Sequence, residues 1–103
     1  MAVVQVYAKV TKVRGELLVA ICDEDVLGKC FEDKEKRVVF EVRESFYKGE
    51  KIEISESIKL LKPATIVNLT GPAIVDAAVK AGYVDAPNVI VIGGIPHAQI
   101  IKL

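Results

Sequence analysis

The sequence predicts an α+β or mixed α/β fold, with an N-terminal antiparallel hairpin, a third strand and a C-terminal strand–helix–strand unit. Two observations lead to this prediction. Residues 3–13 alternate apolar and polar side chains with period two, which is typical of a strand with one buried face. Residues 64–103 contain two apolar runs on either side of a segment that begins with Gly-Pro and ends at a glycine, which favours strand, helix, strand.

The N-terminal part is predicted to consist mainly of strands. The first strand over residues 3–13 is followed by a turn, Arg-Gly-Glu, at residues 14–16. Residues 17–22 are apolar on both faces, so they are predicted to form a more central strand that pairs with the first. Residues 23–29 are acidic at the start and end in Gly-Lys, which indicates one short helical turn or an acidic loop. Residues 37–43 alternate again and are predicted to form the third strand.

Two main helices are predicted. Residues 54–62 form a short amphipathic pattern, with Ser55 as the N-cap and Pro63 as the stop signal. The second helix begins at Pro72, because a proline at the first helical position loses no hydrogen bond, and it ends at Gly82.

The C-terminal strands flank this second helix. Residues 65–69 lead into it, and residues 89–92 are β-branched throughout with no polar face, which predicts a buried strand. If the two pair in parallel, the crossover between them should be right-handed. A last short strand is predicted over residues 99–102.

Charge is distributed unevenly along the chain. Residues 63–103 hold only four of the 28 charged residues, and 51% of all residues are hydrophobic. A segment so poor in charge is buried on several sides or covered by a partner. A homo-oligomer is therefore one expectation, and a protein-interaction or oligomerisation module acting through residues 63–103 is one interpretation of the function. The length of 103 residues predicts a single domain over residues 1–103.

The totals also bear on partners and location. A net charge of zero removes the general electrostatic argument for a nucleic-acid or membrane partner, so any polyanion must be bound at a local site. The start of the sequence lacks a basic leader, and the apolar runs are far shorter than the ~20 residues that span a bilayer, which favours a cytoplasmic protein. Cys22 and Cys30 are interpreted as reduced thiols. The richness in Lys, Glu, Val and Ile points to a thermophilic origin, and a cytosolic disulfide is possible in such an organism. This disulfide and a zinc site are the less favoured alternatives.

The first candidate site is the end of the strand that enters the second helix. Free N–H groups at a helix start suit an anion such as phosphate, and Asn68 and Thr70 can add side-chain hydrogen bonds beside Gly71. The alternative is that Thr70 or Gly71 only caps the helix. The stretch contains neither a dinucleotide-binding glycine fingerprint nor a phosphate-loop lysine.

The second candidate site is the segment around the single histidine. Gly93 and Gly94 permit a bulge or a close backbone approach, and His97 and Gln99 follow them. If the two C-terminal strands are parallel neighbours, their ends bring this segment and Asn68 to the same side of the sheet. His97 would then donate a hydrogen bond to an anion or act as an acid/base, although no nucleophile can be assigned to it.

Two weaker candidates lie earlier in the chain. The acidic turn at residues 23–25 could hold a divalent cation, but it lacks the spacing of a calcium loop and is better explained as a helix start. Residues 44–51 are predicted to form an otherwise charged loop with two aromatics, and its residues 45–49, near Arg43 and Lys48, could stack a nucleobase. Such aromatics more often close the edge of a core. No metal or cofactor is predicted.

Four segments together resemble one known family. They are Ile-Cys-Asp-Glu-Asp-Val-Leu-Gly-Lys at residues 21–29, Ser-Phe-Tyr-Lys-Gly-Glu at 45–50, Asn-Leu-Thr-Gly at 68–71 and Gly-Ile-Pro-His-Ala-Gln at 94–99. In this order they are similar to the small archaeal family named domain of unknown function 424. The resemblance implies a cytosolic archaeal protein and brings no established activity or site residues. An association of this family with translation-related proteins favours RNA among the anionic ligands.

The leading hypothesis is a cytosolic binding module, rather than an enzyme, that recognises an anionic small molecule or RNA. Its predicted ligand-binding residues are Asn68, Thr70, Gly71, Gly93, Gly94, His97 and Gln99. One alternative is a small hydrolase or transferase that uses His97 as its acid/base. The other is the interaction module formed by residues 63–103.

Overall fold

The structure is a computed structural model that describes residues 4–102. Its strands are β1 (Gln5–Val13), β2 (Glu16–Asp23), β3 (Cys30–Asp33), β4 (Val38–Glu41), β5 (Glu50–Glu53), β6 (Ile66–Thr70), β7 (Ile90–Ile92) and β8 (Ile95–Ile101). Its α-helices are α1 (Glu44–Tyr47), α2 (Ile54–Lys59) and α3 (Pro72–Lys80), and short 3-10 turns lie at Glu24–Val26 and Ala86–Asn88. Six strands form one sheet in the order β5-β1-β2-β6-β8-β7, and β3 pairs with β4 in a second sheet. The predicted α+β fold class is confirmed.

The predicted N-terminal hairpin is confirmed. β1 pairs antiparallel with β2, from Val13 opposite Glu16 to Val6 opposite Asp23. The turn residues Arg14 and Gly15 both have positive φ, 50° and 82°. A two-residue turn of this type matches the twist of the two strands and closes the hairpin tightly.

The C-terminal strands pair differently from the prediction. β6 is parallel to β2 and antiparallel to β8, and β8 is antiparallel to β7 at the edge of the sheet. The predicted parallel pairing of residues 65–69 with residues 89–92 is therefore wrong, because β8 lies between them. Gly93 and Gly94 have φ of 57° and 84°, so they form a two-residue turn that folds β8 directly back onto β7.

The prediction that residues 89–92 form a buried strand is also wrong. Ile92 is buried, but Ile90 and Val91 are 49% and 46% exposed, because within residues 4–102 β7 is an edge strand with a neighbour on one side only. A run of β-branched residues indicates a strand but does not say how many of its sides are covered. The last predicted strand, over residues 99–102, is confirmed as the end of the longer β8.

The main core lies between one face of the six-stranded sheet and the helices α2 and α3. α3 begins at Pro72 as predicted, whereas α2 begins at Ile54 with Glu53 in the cap position, so the predicted Ser55 cap is wrong. The charge-poor C-terminal segment supplies much of this core, as expected for a buried segment. The residues of the main core that are at most 1% exposed include Val6, Val19, Ile21, Leu61, Val67, Leu69, Ile74 and Ala78.

The opposite face of the sheet is covered in part by α1 and the β3–β4 hairpin. The predicted third strand is confirmed as β4, but it pairs with β3, which lies in a polar stretch without strand alternation. Residues 44–51, predicted as a loop, contain α1 and the start of β5, and β5 pairs with residues 5–8 of β1. The second core beneath this cover contains Ala20, Cys22, Val26, Val42 and Tyr47.

Cys22 is a buried free thiol and Cys30 an exposed one. Burial and the neighbouring carboxylates of Asp23 and Asp25 raise the pKa of the Cys22 thiol to about 12, so this thiol is unreactive. Within residues 4–102, every helix is too short or too polar to cross a membrane.

Candidate functional site

The polar residues predicted to converge lie on two neighbouring strands, β6 and β8. Thr70 is directly opposite His97, and Asn68 is directly opposite Gln99. Side chains two residues apart on a strand share a face, so all four side chains point to the face that α1 and β4 partly cover. The convergence therefore exists, but antiparallel pairing produces it rather than two parallel strand ends.

A cleft of about 420 Å³ opens between this sheet face and the segment that covers it. β6 and β8 supply its floor, while β4 and α1 supply its wall. Its size is within the range of about 300–1,000 Å³ that is common for small-molecule sites. The lining residues are Phe40, Glu41, Arg43, Ser45, Phe46, Tyr47, Asn68, His97 and Gln99.

A chain of hydrogen bonds holds His97 in place beneath the cleft. Tyr47 Oη lies 2.9 Å from Thr70 Oγ1, and Thr70 Oγ1 lies 3.0 Å from His97 Nδ1. Within residues 4–102 Thr70 is the one hydrogen-bond partner of the buried Tyr47 hydroxyl, so the assignment that leaves no buried donor unpaired has Tyr47 donating to Thr70 and Thr70 donating to Nδ1. In this assignment the proton of a neutral His97 lies on Nε2.

The imidazole of His97 is neutral near pH 7. Burial lowers its pKa from the ordinary value of 6.5. In residues 4–102, every side-chain nitrogen or oxygen that is fully buried has a hydrogen-bond partner. Nε2 of His97 has no partner within these residues, so it is not fully buried, and it is accessible from the cleft that His97 lines. The ring packs at 59° to that of Phe40, with 5.1 Å between the ring centroids. With the assigned tautomer, the N–H group of Nε2 is a donor that faces the cleft.

Thr70 supports the site from below rather than lining it. Its side chain has no exposed surface, and its hydroxyl is shared between Tyr47 and His97. Its role is to orient the imidazole through the tautomer that it selects.

The helix start at Gly71 already has an anionic partner within the chain. The two carboxylate oxygens of Asp23 accept hydrogen bonds from the N–H groups of Ala73 (2.8 Å) and Ile74 (2.9 Å). Burial raises the pKa of Asp23, and these two hydrogen bonds oppose that rise. Gly71 has a φ of 121°, and a side chain there would collide with Asp23. Gly71 occupies the N-cap position of α3, as one of the two alternatives predicted, while the side-chain cap of the first turn comes from Asp23 rather than from Thr70.

Gly93 and Gly94 lie in the β7–β8 turn, outside the set of residues that line the cleft. Gly93 packs closely on β3, because a Cβ atom there would be 2.8 Å from the carbonyl oxygen of Glu32. Its N–H points to Asp33 Oδ2 at 3.4 Å. The close backbone approach predicted at this glycine pair is found at Gly93, where it seats the β3–β4 hairpin against the sheet.

Sequence reasoning found only part of the wall of the cleft. The aromatic segment 45–49 and Arg43 were candidates, whereas Phe40 and Glu41 were predicted only as strand residues. Arg43 Nε lies 3.0 Å from Glu41 Oε1, and both side chains are well exposed. Tertiary folding of the β3–β4 hairpin over the sheet brings these residues to the cleft, and no local pattern signals it. Among residues 4–102, His, Cys, Asp and Glu side chains form no group of three that could hold a metal ion.

Comparisons with known proteins agree with the resemblance in the sequence. A crystal structure of an uncharacterized conserved protein from the archaeon Methanopyrus kandleri has a TM-score of 0.80 and 24% sequence identity over 96% of this chain and 94% of that chain. This likeness shows a shared fold. A search of curated proteins gave no match. The family model for a protein of unknown function, DUF424, matches residues 11–103, and the chain belongs to that family.

Proposed function

We propose that the protein is a binding module whose cleft holds a nucleotide, either free or within a strand of RNA. One observation carries the proposal: three hydrogen-bonding side chains, those of Asn68, His97 and Gln99, meet in a cleft whose wall includes Phe40 and Phe46. This combination of convergent polar groups and aromatic faces is typical of sites for flat, polar ligands.

The floor of the cleft suits the edge of a nucleobase. The carboxamides of Asn68 and Gln99 each offer a donor and an acceptor, and Nε2 of His97 offers a donor. Base edges carry complementary donors and acceptors, and base faces stack on aromatic rings. Phe46 is 37% exposed in the absence of a ligand, so it has apolar surface available for such a contact.

The anionic part of the ligand is assigned to Arg43. Its side chain is 72% exposed and forms its ion pair with Glu41, which is also exposed. Exposed pairs of this kind contribute little free energy, so a phosphate can compete for the guanidinium group and bind it in a bidentate manner. In this proposal the anionic group binds at the wall of the cleft. It does not bind at the predicted position near Gly71, because Asp23 already accepts hydrogen bonds from the helix amides there.

In this proposal the remaining predicted site residues act indirectly. Thr70 fixes the tautomer of His97. Gly71 makes room for the Asp23 cap, and Gly93 makes room for the hairpin that carries the wall of the cleft. Gly94 completes the turn between β7 and β8.

The same geometry favours binding over the alternative of a hydrolase or transferase. A general base must present an unprotonated nitrogen to its substrate. With Thr70 donating to Nδ1, the proton lies on Nε2, the nitrogen that is accessible from the cleft, and this supports binding. His97 is thus prepared to donate a hydrogen bond to a bound ligand.

Isothermal titration calorimetry tests the proposal with ribonucleoside monophosphates, short single-stranded RNA and inorganic phosphate as probes. We expect a nucleotide to bind more tightly than phosphate alone, and the ratio of RNA to mononucleotide affinity identifies the natural source. Asn68→Ala and Gln99→Ala should each weaken binding about tenfold, the effect of one lost hydrogen bond to a ligand.

The chain offers matched controls, because Asn88 and Gln5 are exposed and lie outside the cleft. Asn88→Ala and Gln5→Ala should leave the affinity unchanged. Absence of binding by every nucleotide and RNA probe at millimolar concentration, or equal losses in the cleft variants and the controls, would contradict the proposal.

A further inference from the structure

One edge of the six-stranded sheet is only half covered by its neighbour. β1 extends over Gln5–Val13, but β5 pairs with it only from Gln5 to Ala8. Among the described residues 4–102, residues 9–13 of β1 therefore have a strand partner on the β2 side alone. We call this segment the free edge of β1.

The hairpin geometry determines which main-chain groups point outward from the free edge. The two-residue turn makes Val13 and Glu16 a hydrogen-bonded pair, so Thr11 and Lys9 also bond to β2. Val10 and Lys12 alternate with them and direct their N–H and C=O groups away from β2. The Ile54 N–H group donates a hydrogen bond to the Val4 carbonyl, which confirms that the main-chain groups of even-numbered residues in this part of the chain point to the β5 side. The free edge thus offers two donors and two acceptors in the spacing of a strand ladder.

An apolar groove lies beside the free edge. It measures about 370 Å³ and includes the side chains of Val10, Ile52 and Leu60 in its lining. Val10 is 48% exposed at this position, although it belongs to the strand face that packs on the main core. A side chain at Gly49 would collide with the Ala8 carbonyl, so glycine lets the chain approach β1 closely just before β5 begins, and Gly49 is part of the lining of the groove.

The two edges of the sheet differ in protection. At the other edge, the Lys36 ammonium group donates a hydrogen bond of 2.7 Å to the outward carbonyl of Val91. This bond occupies an acceptor that an added strand would need. Within residues 4–102, no side chain makes such a bond to the main chain of Val10 or Lys12, so the free edge of β1 remains available.

The charge of the free edge selects the partner. Residues 9–14 contain Lys9, Lys12 and Arg14 and no acidic residue, while Glu50 is the acidic residue that lines the groove. A second copy of this chain would bring these cations together across an edge-to-edge contact, which like-charge repulsion opposes.

We infer that the free edge of β1 binds an extended acidic segment of a partner protein, which adds a strand collinear with β5 and places an apolar side chain in the groove. Main-chain bonds to Val10 and Lys12 supply the affinity in this recognition mode, and the groove supplies selectivity for alternate side chains. The surface is separate from the nucleotide cleft and does not depend on it.

The test uses a short synthetic peptide in which Glu alternates with Leu and Val, and a matched peptide with Lys in place of Glu. In ¹⁵N NMR spectra of the full chain, the acidic peptide should shift the amide signals of Val10 and Lys12 and slow their hydrogen exchange. Val10→Pro removes one outward donor at an edge position that tolerates proline, and it should weaken binding about tenfold. Val10→Ala keeps the donor and separates the main-chain contribution from that of the side chain.

A charge reversal, Lys12→Glu, covers the case in which the proline variant fails to fold, because Lys12 is exposed. This substitution should weaken the binding of the acidic peptide and strengthen the binding of the Lys peptide. Equal binding of the two peptides, or no shift at Val10 and Lys12 at millimolar acidic peptide, would overturn the inference. So would concentration-dependent shifts of these amides without peptide, together with a dimer by light scattering, because the occupant would then be a second copy.

Discussion

The two faces of the six-stranded sheet are covered in different ways, although the same strands form both. On one face α2 and α3 bury Leu69 completely. On the other face α1 and the β3–β4 hairpin cover only part of the sheet, and Asn68, the preceding residue of β6, lies in the cleft. Because side chains alternate along a strand, neighbouring residues lie on opposite faces of the sheet and in different surroundings. The first face stabilises the fold, and we propose that the second binds a ligand.

The largest expected effect is on the fully covered face. Leu69→Ala should lower the free energy of unfolding by about 2–5 kcal/mol, because it creates a cavity in a closely packed core. Chemical denaturation followed by circular dichroism measures the change. A loss below about 1 kcal/mol would mean that the helix-covered face is not the main source of stability.

A smaller loss of stability is expected for Thr70, which is a buried residue on the partly covered face. Thr70→Val keeps the shape of the side chain but leaves the Tyr47 hydroxyl without its partner, which should cost about 1–3 kcal/mol. The same substitution in a Tyr47→Phe background should cost less, because no buried hydroxyl is then left unpaired. Equal costs in the two backgrounds would show that the Tyr47–Thr70 hydrogen bond contributes nothing to stability.

The pH dependence of stability should report on His97. Its pKa is lowered in the folded state, so the unfolded chain binds a proton more readily as the pH falls below 6.5. The folded state should therefore lose stability as the pH falls through this range, and it should keep its full stability above it. In His97→Gln this part of the pH dependence should vanish, and subtraction of the two profiles removes the contribution of the carboxylates. Identical profiles would contradict the burial of the imidazole.

The smallest effect on stability is expected inside the cleft. Asn68→Ala should change the free energy of unfolding by less than about 1 kcal/mol, since Asn68 makes no side-chain hydrogen bond within residues 4–102. Its effect should appear when ligand is added, because a ligand raises the melting temperature only of a chain that binds it. Wild type should gain thermal stability with a saturating nucleotide, and Asn68→Ala should gain much less at the same concentration. Equal gains would place the ligand elsewhere.

Local features of the fold were predictable from the sequence. The alternation in β1 and the Gly-Pro start of α3 each depend on residues that are close in the chain. Strand order was not predictable in the same way, because pairing is a contact between distant segments. Gly93 and Gly94 did signal a break, but only the structure shows that it is a tight hairpin that inserts β8 next to β6.

The candidate site was predictable to the same extent. Asn68, His97 and Gln99 were predicted to meet, and they do meet, although the assumed strand pairing was wrong. The Asp23 cap escaped prediction because it joins residues about fifty positions apart, and helix-start patterns describe only neighbouring residues. Phe40 reaches the cleft because β4 pairs with β3 in a second small sheet. This pairing was not predictable, since the sequence of β3 is polar and does not alternate like a strand.

The most direct test of the proposed contrast between the faces uses side-chain amide signals in ¹⁵N NMR spectra. The chain has two asparagines and two glutamines, and one of each lies in the cleft. On titration with a ribonucleoside monophosphate, the NH₂ signals of Asn68 and Gln99 should move and saturate together, while those of Asn88 and Gln5 should stay in place. Signals of Asn68 and Gln99 that do not move at millimolar nucleotide, or that move no more than those of Asn88 and Gln5, would contradict the proposal.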